Sequence, residues 1–402
     1  MSTLIYLDNN ATTAVDPEVL EAMLPYFKEE YGNPSSMYAL AGRAQKAVAD
    51  ARAQVASLLG AEADEIIFTA CGTESDCTAI VGAFEAQPDK RHFITTRVEH
   101  SAGMALGQLL QQRGYRVTWL NVDDEGRLDM DQYKDALTDD TGLVSLMYAN
   151  NETGTVFPIP EAAALAKARG IRFHTDAVQA VGKIPINLAV LPADYLAMSG
   201  HKLHAPKGIG ALYVRRGAPY RPFIIGGHQE RGRRAGTENV PYIVGLGKAC
   251  ELAARHIREE NTRVRSLRDR LEEGLLHNIP EAIINGDRTN RLPNTLNVSF
   301  KYVEGEAILL LLDQAGICAS SGSACTSGSL EPSHVLRAMG VPFTFAHGSV
   351  RLSLSRYNTE EEIDTTIREL TRIIARLREI SPFRNLPDNA NPGDGQPCAC
   401  SC

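Results

Sequence analysis

The stretch SGHKLHAPKG, residues 199–208, lies between two apolar runs, YLAM at 195–198 and IGALYV at 209–214. Both runs are typical of buried strands, so Lys202 is predicted to lie in a tight turn between two strands. Burial at the end of a strand disfavours the ammonium form of a lysine and favours the free amine, which can condense with an aldehyde. A solvated loop lysine is the alternative, and this stretch alone does not exclude it.

Similar apolar runs alternate with helical segments on the N-terminal side of this turn. Candidate strands are residues 65–69, 92–96, 116–120, 143–148, 171–175, 194–198 and 211–215, and candidate helices lie near 74–85, 101–113 and 160–169. Many of the runs are continuously apolar, as expected when both faces of a sheet are covered. The alternation predicts an α/β fold with a mainly parallel, wound sheet.

The pattern changes after a long helical stretch at about 239–277. Strands near 282–285, 294–300 and 349–354 mix with helices near 305–314, 333–339 and 359–378. We therefore predict a large α/β domain over 15–255 and a smaller α+β domain over 256–383, which the extended N-terminal arm, residues 1–14, joins. Residues 384–402 are rich in Pro, Gly and Asn and are predicted to be a disordered tail.

Composition excludes several classes of protein. The 402 residues carry a net charge of −8 without an extended basic run, so nucleic acid is not an expected partner. No apolar stretch approaches the roughly 18 residues that would span a bilayer, and the N-terminus lacks a signal pattern, so we expect a cytoplasmic protein. Five of the eight cysteines are scattered through the body, and Cys398, Cys400 and Cys402 crowd the end.

Polar residues follow several of the predicted strands. The stretch TACGTES, residues 69–75, follows one strand and opens a helix, whose unpaired first-turn amides favour an anion near Gly72 and Thr73; a simple capping turn is the alternative. Asp176, Asn151 and His100 follow other strands. In a wound sheet, ligands bind beyond the carboxyl ends of the strands, and a buried carboxylate there needs a cation. An amine, a phosphate cradle, a buried Asp and a flat ring that can stack are together what pyridoxal phosphate requires.

The chain resembles the cysteine desulfurases of the class V aminotransferase group, most closely the nitrogen-fixation type, a near relative of the housekeeping iron–sulfur cluster type. The similarity runs from residue 6 to about 364. The matching stretches are YLDNNATT, GNPSS, GTESD, VEHSA, ANNETG, HTDAVQAVGK, SGHKLHAPKGIGALYVRR, GGHQERGRRAGTEN, LPNTLNVSF, SSGSACTSGSLEPSHVLRAMG and VRLSLSRYNTEEEID. This resemblance implies a fold type I pyridoxal-phosphate enzyme that acts as a homodimer with shared sites.

The resemblance also implies roles for individual residues. Lys202 would hold the cofactor and shuttle the α-proton of the substrate. His100 would stack on the cofactor ring and assist proton transfer. Asp176 would pair with the pyridine nitrogen, and Gln179 with the phenolic oxygen. Residues that would bind phosphate are Gly72, Thr73, Ser199, His201 and, from the partner subunit's copy, Thr237. Arg351 and Asn151 would hold the substrate carboxylate, and the planar fork of arginine suits that task. No metal is expected.

Cys325 lies among Ser and Gly residues at 319–329, which predicts a mobile loop. The resemblance implies that L-cysteine becomes L-alanine while Cys325 receives the sulfur as a persulfide and passes it to a scaffold protein for iron–sulfur cluster assembly. Without the resemblance, this is a flexible loop with an incidental thiol. Two other functions remain open: a selenocysteine lyase or another class V pyridoxal-phosphate enzyme, and a non-enzymatic sulfur or metal carrier that works through the Cys-rich tail.

Overall fold

In the computed structural model, which describes residues 4–321 and 332–381, a seven-stranded sheet lies at the centre of the larger part of the molecule. The strands in chain order are β1 (Ile5–Tyr6), β2 (Ile66–Thr69), β3 (His92–Thr96), β4 (Arg116–Leu120), β5 (Thr141–Met147), β6 (Arg172–Asp176), β7 (Tyr195–Ser199), β8 (Gly210–Val214), β9 (Ala282–Ile284), β10 (Thr295–Phe300), β11 (Ile317–Cys318) and β12 (Ser349–Ser353).

The α-helices surround this sheet and a second, smaller sheet. They are α1 (Pro17–Met23), α2 (Pro25–Lys28), α3 (Ala39–Leu59), α4 (Gly72–Glu85), α5 (Ser101–Gln112), α6 (Met130–Ala136), α7 (Ile159–Ala168), α8 (Val240–Glu259), α9 (Arg265–Asn278), α10 (Gly305–Gln314), α11 (His334–Ala338), α12 (Phe343–Ala346) and α13 (Glu360–Ile380). Among the described residues, no helix combines the length and the apolar character needed to cross a membrane.

The strand order in the large sheet is β2-β8-β7-β6-β5-β3-β4. Every neighbouring pair from β7 to β4 is parallel, and only β8 runs against its neighbours. Both faces are covered: Ile66 and Phe68 pack in one apolar cluster, while Ile67 between them packs in another, with α4 and α5. Burial on both faces explains the continuously apolar runs, and the prediction of a mainly parallel wound sheet is confirmed.

Strand register places the polar loops side by side. Met147, Asp176 and Ala197 lie opposite one another near the ends of the adjacent parallel strands β5, β6 and β7. The segments that follow these strands carry Asn151, Gln179 and Lys202. The carboxyl edge of the sheet therefore gathers these segments at one place.

A second apolar core lies around the antiparallel sheet β12-β10-β9. It contains residues of α9, α10 and α13, and Ile5 and Leu7 of the N-terminal arm, whose strand β1 pairs in parallel with β11. The predicted continuous helix over 239–277 is divided by a π-helical turn at Glu260–Val264. The first core also takes in Val335 and Leu336, from the stretch assigned to the smaller domain, and the division at residue 255 stays a prediction. Cys318 lies in β11 and is half-buried.

Candidate active site

A cavity of about 410 Å³ opens at the carboxyl edge of the large sheet. It brings together ten of the residues predicted from the sequence: Gly72, Thr73, His100, Asn151, Asp176, Gln179, Ser199, His201, Lys202 and Arg351. Thr237 does not line it and lies instead at a separate cavity of about 230 Å³. Cys325 and the tail cysteines Cys398, Cys400 and Cys402 lie outside the described residues, as does the predicted disordered tail.

Lys202 ends a short 3-10 turn that directly follows β7. Its Nζ donates hydrogen bonds to the carbonyl oxygens of Asn10, at 2.6 Å, and Ala11, at 2.8 Å. The N-terminal arm is fixed against the same turn, because Thr13 N donates to His201 O at 3.0 Å. The lysine thus lies between two strands as predicted, and the arm holds its nitrogen in place.

Asp176 is the last residue of β6, and its Oδ1 accepts a hydrogen bond from Val178 N at 2.9 Å. Burial raises the pKa of Asp176, whereas the neighbouring His100, the Val178 amide and Lys202 lower it. A cation placed beside the Asp176 carboxylate would offset the desolvation cost of burying that charge. The site therefore favours a protonated ring nitrogen at this position.

The N-terminus of α4 forms a tight cradle at one end of the cavity. A Cβ atom added to Gly72 would lie 2.7 Å from Val178 Cγ2, so no larger residue fits there without a shift. The hydroxyl of Ser199 also faces this region, buried and without a hydrogen-bond partner in the described structure. The first-turn amides and this unpaired hydroxyl suit an anion.

His100 lies just before α5 and caps its N-terminus. Its Nδ1 accepts a hydrogen bond from Ala102 N at 3.2 Å. Because Nδ1 acts as the acceptor, the neutral ring carries its proton on Nε2. His201 is the second histidine of the cavity, and burial, together with the nearby Lys202, lowers its pKa to about 4, so it is neutral at pH 7.

Arg351 projects from β12 of the smaller sheet and is buried. Its Nη2 donates to Asp8 Oδ1 at 2.8 Å and its Nη1 donates to Asn151 O at 3.0 Å. Its Nε has no hydrogen-bond partner among the described residues. Each Nη has two N–H groups and uses one of them in these bonds, so the guanidinium can still donate to an anion while Asp8 balances its charge.

Comparisons with known proteins agree with this geometry. The model of the family "Aminotransferase class-V" matches residues 5–366. The chain belongs to the class-V aminotransferase family. It is 62% identical over 383 residues to a cysteine desulfurase of Trichormus azollae, covering 95% of this chain and 96% of that one. It is 60% identical over 380 residues to the cysteine desulfurase NifS of Azotobacter vinelandii, covering 94% of each.

Solved structures show the same similarity in three dimensions. A NifS-like protein superposes with a TM-score of 0.88 at 40% identity, covering 93% of this chain and all of that one. A structure described as SspA in complex with cysteine gives a TM-score of 0.79 at 36% identity, covering 89% of this chain and all of that one. The chain is thus a class-V enzyme of the cysteine desulfurase group and depends on pyridoxal phosphate, which confirms the fold, family and cofactor predictions.

The residues present fit this cofactor. Asp176 would pair with the ring nitrogen. The phosphate would bind at Gly72 and the Ser199 hydroxyl, which has no hydrogen-bond partner among the described residues. The aldehyde would find Lys202, which lines the same cavity. These three features come from different segments, and each matches one chemical group of pyridoxal phosphate.

Several polar residues of the site are not predicted from the sequence. Asp76 lines the cavity and is buried; burial and the neighbouring Asp176 raise its pKa well above the usual range. Its position four residues after Gly72, on the buried face of α4, is the signal that could have revealed it. Asp8 and Asn10 lie in the arm, where no local pattern marks them as partners of Arg351 and Lys202.

Proposed function

We propose that the protein converts L-cysteine to L-alanine and transfers the sulfur to Cys325 as a persulfide. The substrate's C–S bond breaks, an S–S bond forms, and the thiol proton set free replaces sulfur on the β-carbon. Sulfur is oxidised to the persulfide level while that carbon is reduced, so no external oxidant is required. The supporting observation is that Arg351, a carboxylate binder, shares one cavity with Lys202.

The cofactor-binding roles follow the chemistry of the cavity. Lys202 would hold the cofactor through Nζ, Asp176 would hold the ring nitrogen, and Gln179 would donate to the ring oxygen. His100 would stack on the ring. Gly72, Thr73, Ser199 and His201 would bind the phosphate. Bound in this way, pyridoxal phosphate supplies an electron sink for the substrate carbons.

The remaining residues orient the substrate and move its protons. Arg351 and Asn151 would hold the substrate carboxylate, which fixes the α-carbon relative to Lys202. Nζ of Lys202, once released from the cofactor, would take the α-proton. Nε2 of His100 carries a proton in the neutral ring and would assist its transfer. These assignments use one acid–base group on each of two different loops.

The protein would act as a cytoplasmic homodimer and deliver sulfur to a scaffold protein for iron–sulfur cluster assembly, in a nitrogenase-related role. Thr237, which lies outside the cavity of its own chain, would reach the phosphate of the partner subunit. The large domain would span 15–255, and the smaller domain, 1–14 with 256–383, would carry the Cys325 loop. The similarity to NifS at 60% identity supports the nitrogenase-related role.

The decisive experiment compares the parent protein with Cys325→Ala. From L-cysteine, the parent should form alanine and an equal amount of sulfur, measured as protein-bound persulfide or as sulfide after reduction. The variant should bind the cofactor and L-cysteine normally but carry no persulfide, since the proposed nucleophile is absent. A matched Cys318→Ala variant should behave like the parent. Sulfur release by Cys325→Ala at the parent rate would contradict the proposal, and a strong preference for selenocysteine would favour a selenocysteine lyase.

A further inference from the structure

Lys183 is a buried lysine behind the cofactor cavity, in the turns that follow β6. Its Nζ donates to Gln179 Oε1 at 2.7 Å and to Asn10 Oδ1 at 3.0 Å. Gln179 lines the cavity, but Lys183 does not. Among the described residues, its Nζ is hydrogen-bonded to the site through these two amide side chains.

These contacts determine which way the Gln179 amide faces. A lysine nitrogen has at least two N–H donors in either protonation state, and here one of them donates to Oε1 of Gln179. On the other side, Gln179 Nε2 donates to the carbonyl oxygen of Asn10 at 3.0 Å. Only one amide orientation satisfies both contacts. In that orientation, Nε2 keeps a second N–H for a ligand in the cavity.

Asn10 connects this arrangement to the catalytic lysine. The carbonyl oxygen that accepts from Gln179 also accepts from Lys202 Nζ at 2.6 Å. The side-chain Oδ1 of Asn10 accepts from Lys183 and, at 3.1 Å, from Asn294 Nδ2. Lys183 thus holds both the amide and the backbone segment against which that amide rests.

Burying a lysine side chain costs desolvation free energy. Burial and the nearby positive charge of Lys202 lower the pKa of Lys183 to about 7, and Glu260 opposes that shift. An apolar side chain of similar length would avoid the desolvation. The two donated hydrogen bonds are what an apolar side chain could not supply.

We propose that Lys183 is a positioning residue that orients the Gln179 amide so that its N–H faces the ring oxygen of bound pyridoxal phosphate. This inference rests on the role proposed above for Gln179. It assigns no chemical step to Lys183. Its effect passes to the cofactor through Gln179, which a double-mutant cycle can detect.

The test measures the Kd of pyridoxal phosphate for cofactor-free protein from the visible absorbance of the complex. Lys183→Met and Gln179→Ala should each raise Kd about five- to tenfold, the scale of one hydrogen bond. The double variant should bind no more weakly than the weaker-binding single variant. Asn261→Ala is the matched control: it removes a bond from Asn261 Nδ2 to the backbone oxygen of Lys183, 2.8 Å long, and should change Kd less than twofold.

Independent, multiplicative effects of the two substitutions would overturn the proposal, because Lys183 would then act through general stability. An unchanged Kd in Lys183→Met, with a raised Kd in Gln179→Ala, would overturn it while leaving the role of Gln179 intact. An unchanged Kd in Gln179→Ala would refute both the role of Gln179 and this inference. It would leave the proposal of cysteine desulfuration standing. If Lys183→Met does not fold, Lys183→Leu, which also removes the donor, is used in the same cycle with the same expected non-additivity.

Discussion

Replacing Arg351 should weaken substrate binding far more than it slows the chemical step. The guanidinium is buried and bonded to Asp8 and Asn151, and its Nε has no partner among the described residues. A substrate carboxylate would accept two hydrogen bonds from this cation, each contributing about 1.5–2 kcal/mol. Arg351→Ala should therefore lose about 3–4 kcal/mol of binding, which raises the KM for L-cysteine by roughly 10²- to 10³-fold.

Two further variants separate charge from shape. Arg351→Lys keeps the charge but loses the planar fork, so it should recover only part of the affinity. Asp8→Asn removes the carboxylate that competes for Nη2, which lies 2.8 Å from Asp8 Oδ1. The KM of Asp8→Asn should fall, while the Tm of its substrate-free form should drop because the buried cation loses its partner. These opposite signs cannot arise from general loosening of the site.

The assay follows alanine release over a range of L-cysteine concentrations, with cofactor content and Tm measured for each variant. Cofactor content should stay at the parent level, because none of the three substitutions touches the proposed phosphate cradle. A KM for Arg351→Ala within threefold of the parent value, in protein with normal cofactor content, would refute the assignment of Arg351 to the carboxylate.

Three other outcomes are expected. Lys202→Ala should abolish turnover while retaining non-covalent cofactor, which gel filtration of the loaded protein would show; normal turnover would refute its role. Burial raises the pKa of Glu99 to about 8 from a usual 4.5, so the folded state holds the carboxyl proton more tightly than the unfolded state does. The stability that this proton confers is fully present below about pH 4.5 and is lost as the pH rises through 8. Glu99→Gln should therefore show a smaller fall in Tm than the parent between pH 5.5 and 8.5. Truncation after residue 388 should leave cysteine-to-alanine turnover unchanged, and loss of cofactor on truncation would contradict the predicted disordered tail.

Much of the large sheet could be predicted because its signals are local. The strand β3, which is buried along its whole length, has the predicted bounds. The edge strand β4, which is only partly buried, has the predicted bounds as well. The helix α1 begins after Asp16, a residue type typical of N-caps, whose side chain accepts from Glu18 N. Lys202 and Asp176 could also be predicted from local sequence, because each lies at or just beyond the end of a predicted strand.

Other features depend on pairs that are distant in the chain. The pairing of β1 with β11 joins residues more than 300 positions apart, and two-residue strands carry no periodic signal. Lys183 lies in a segment that the resemblance matched, yet its partners Asn10 and Gln179 are set by the fold. A buried lysine looks the same in sequence as a solvated one, so its role could be recognised only once its hydrogen-bond partners were known.

The N-terminal arm accounts for how two separate cores form one site. Lys202 follows the large sheet and Arg351 belongs to the smaller one, and neither sheet shares a strand with the other. The arm contacts both: Asp8 pairs with Arg351, Asn10 accepts from Lys202, and Thr13 donates to His201 O. Because Asp8 bonds to one side of the cavity and Asn10 and Thr13 to the other, the arm sets the separation between the Arg351 guanidinium and the Lys202 amine. If Arg351 holds the carboxylate as proposed, the amino-acid substrate would span that separation, and the arm would contribute to substrate recognition by setting it.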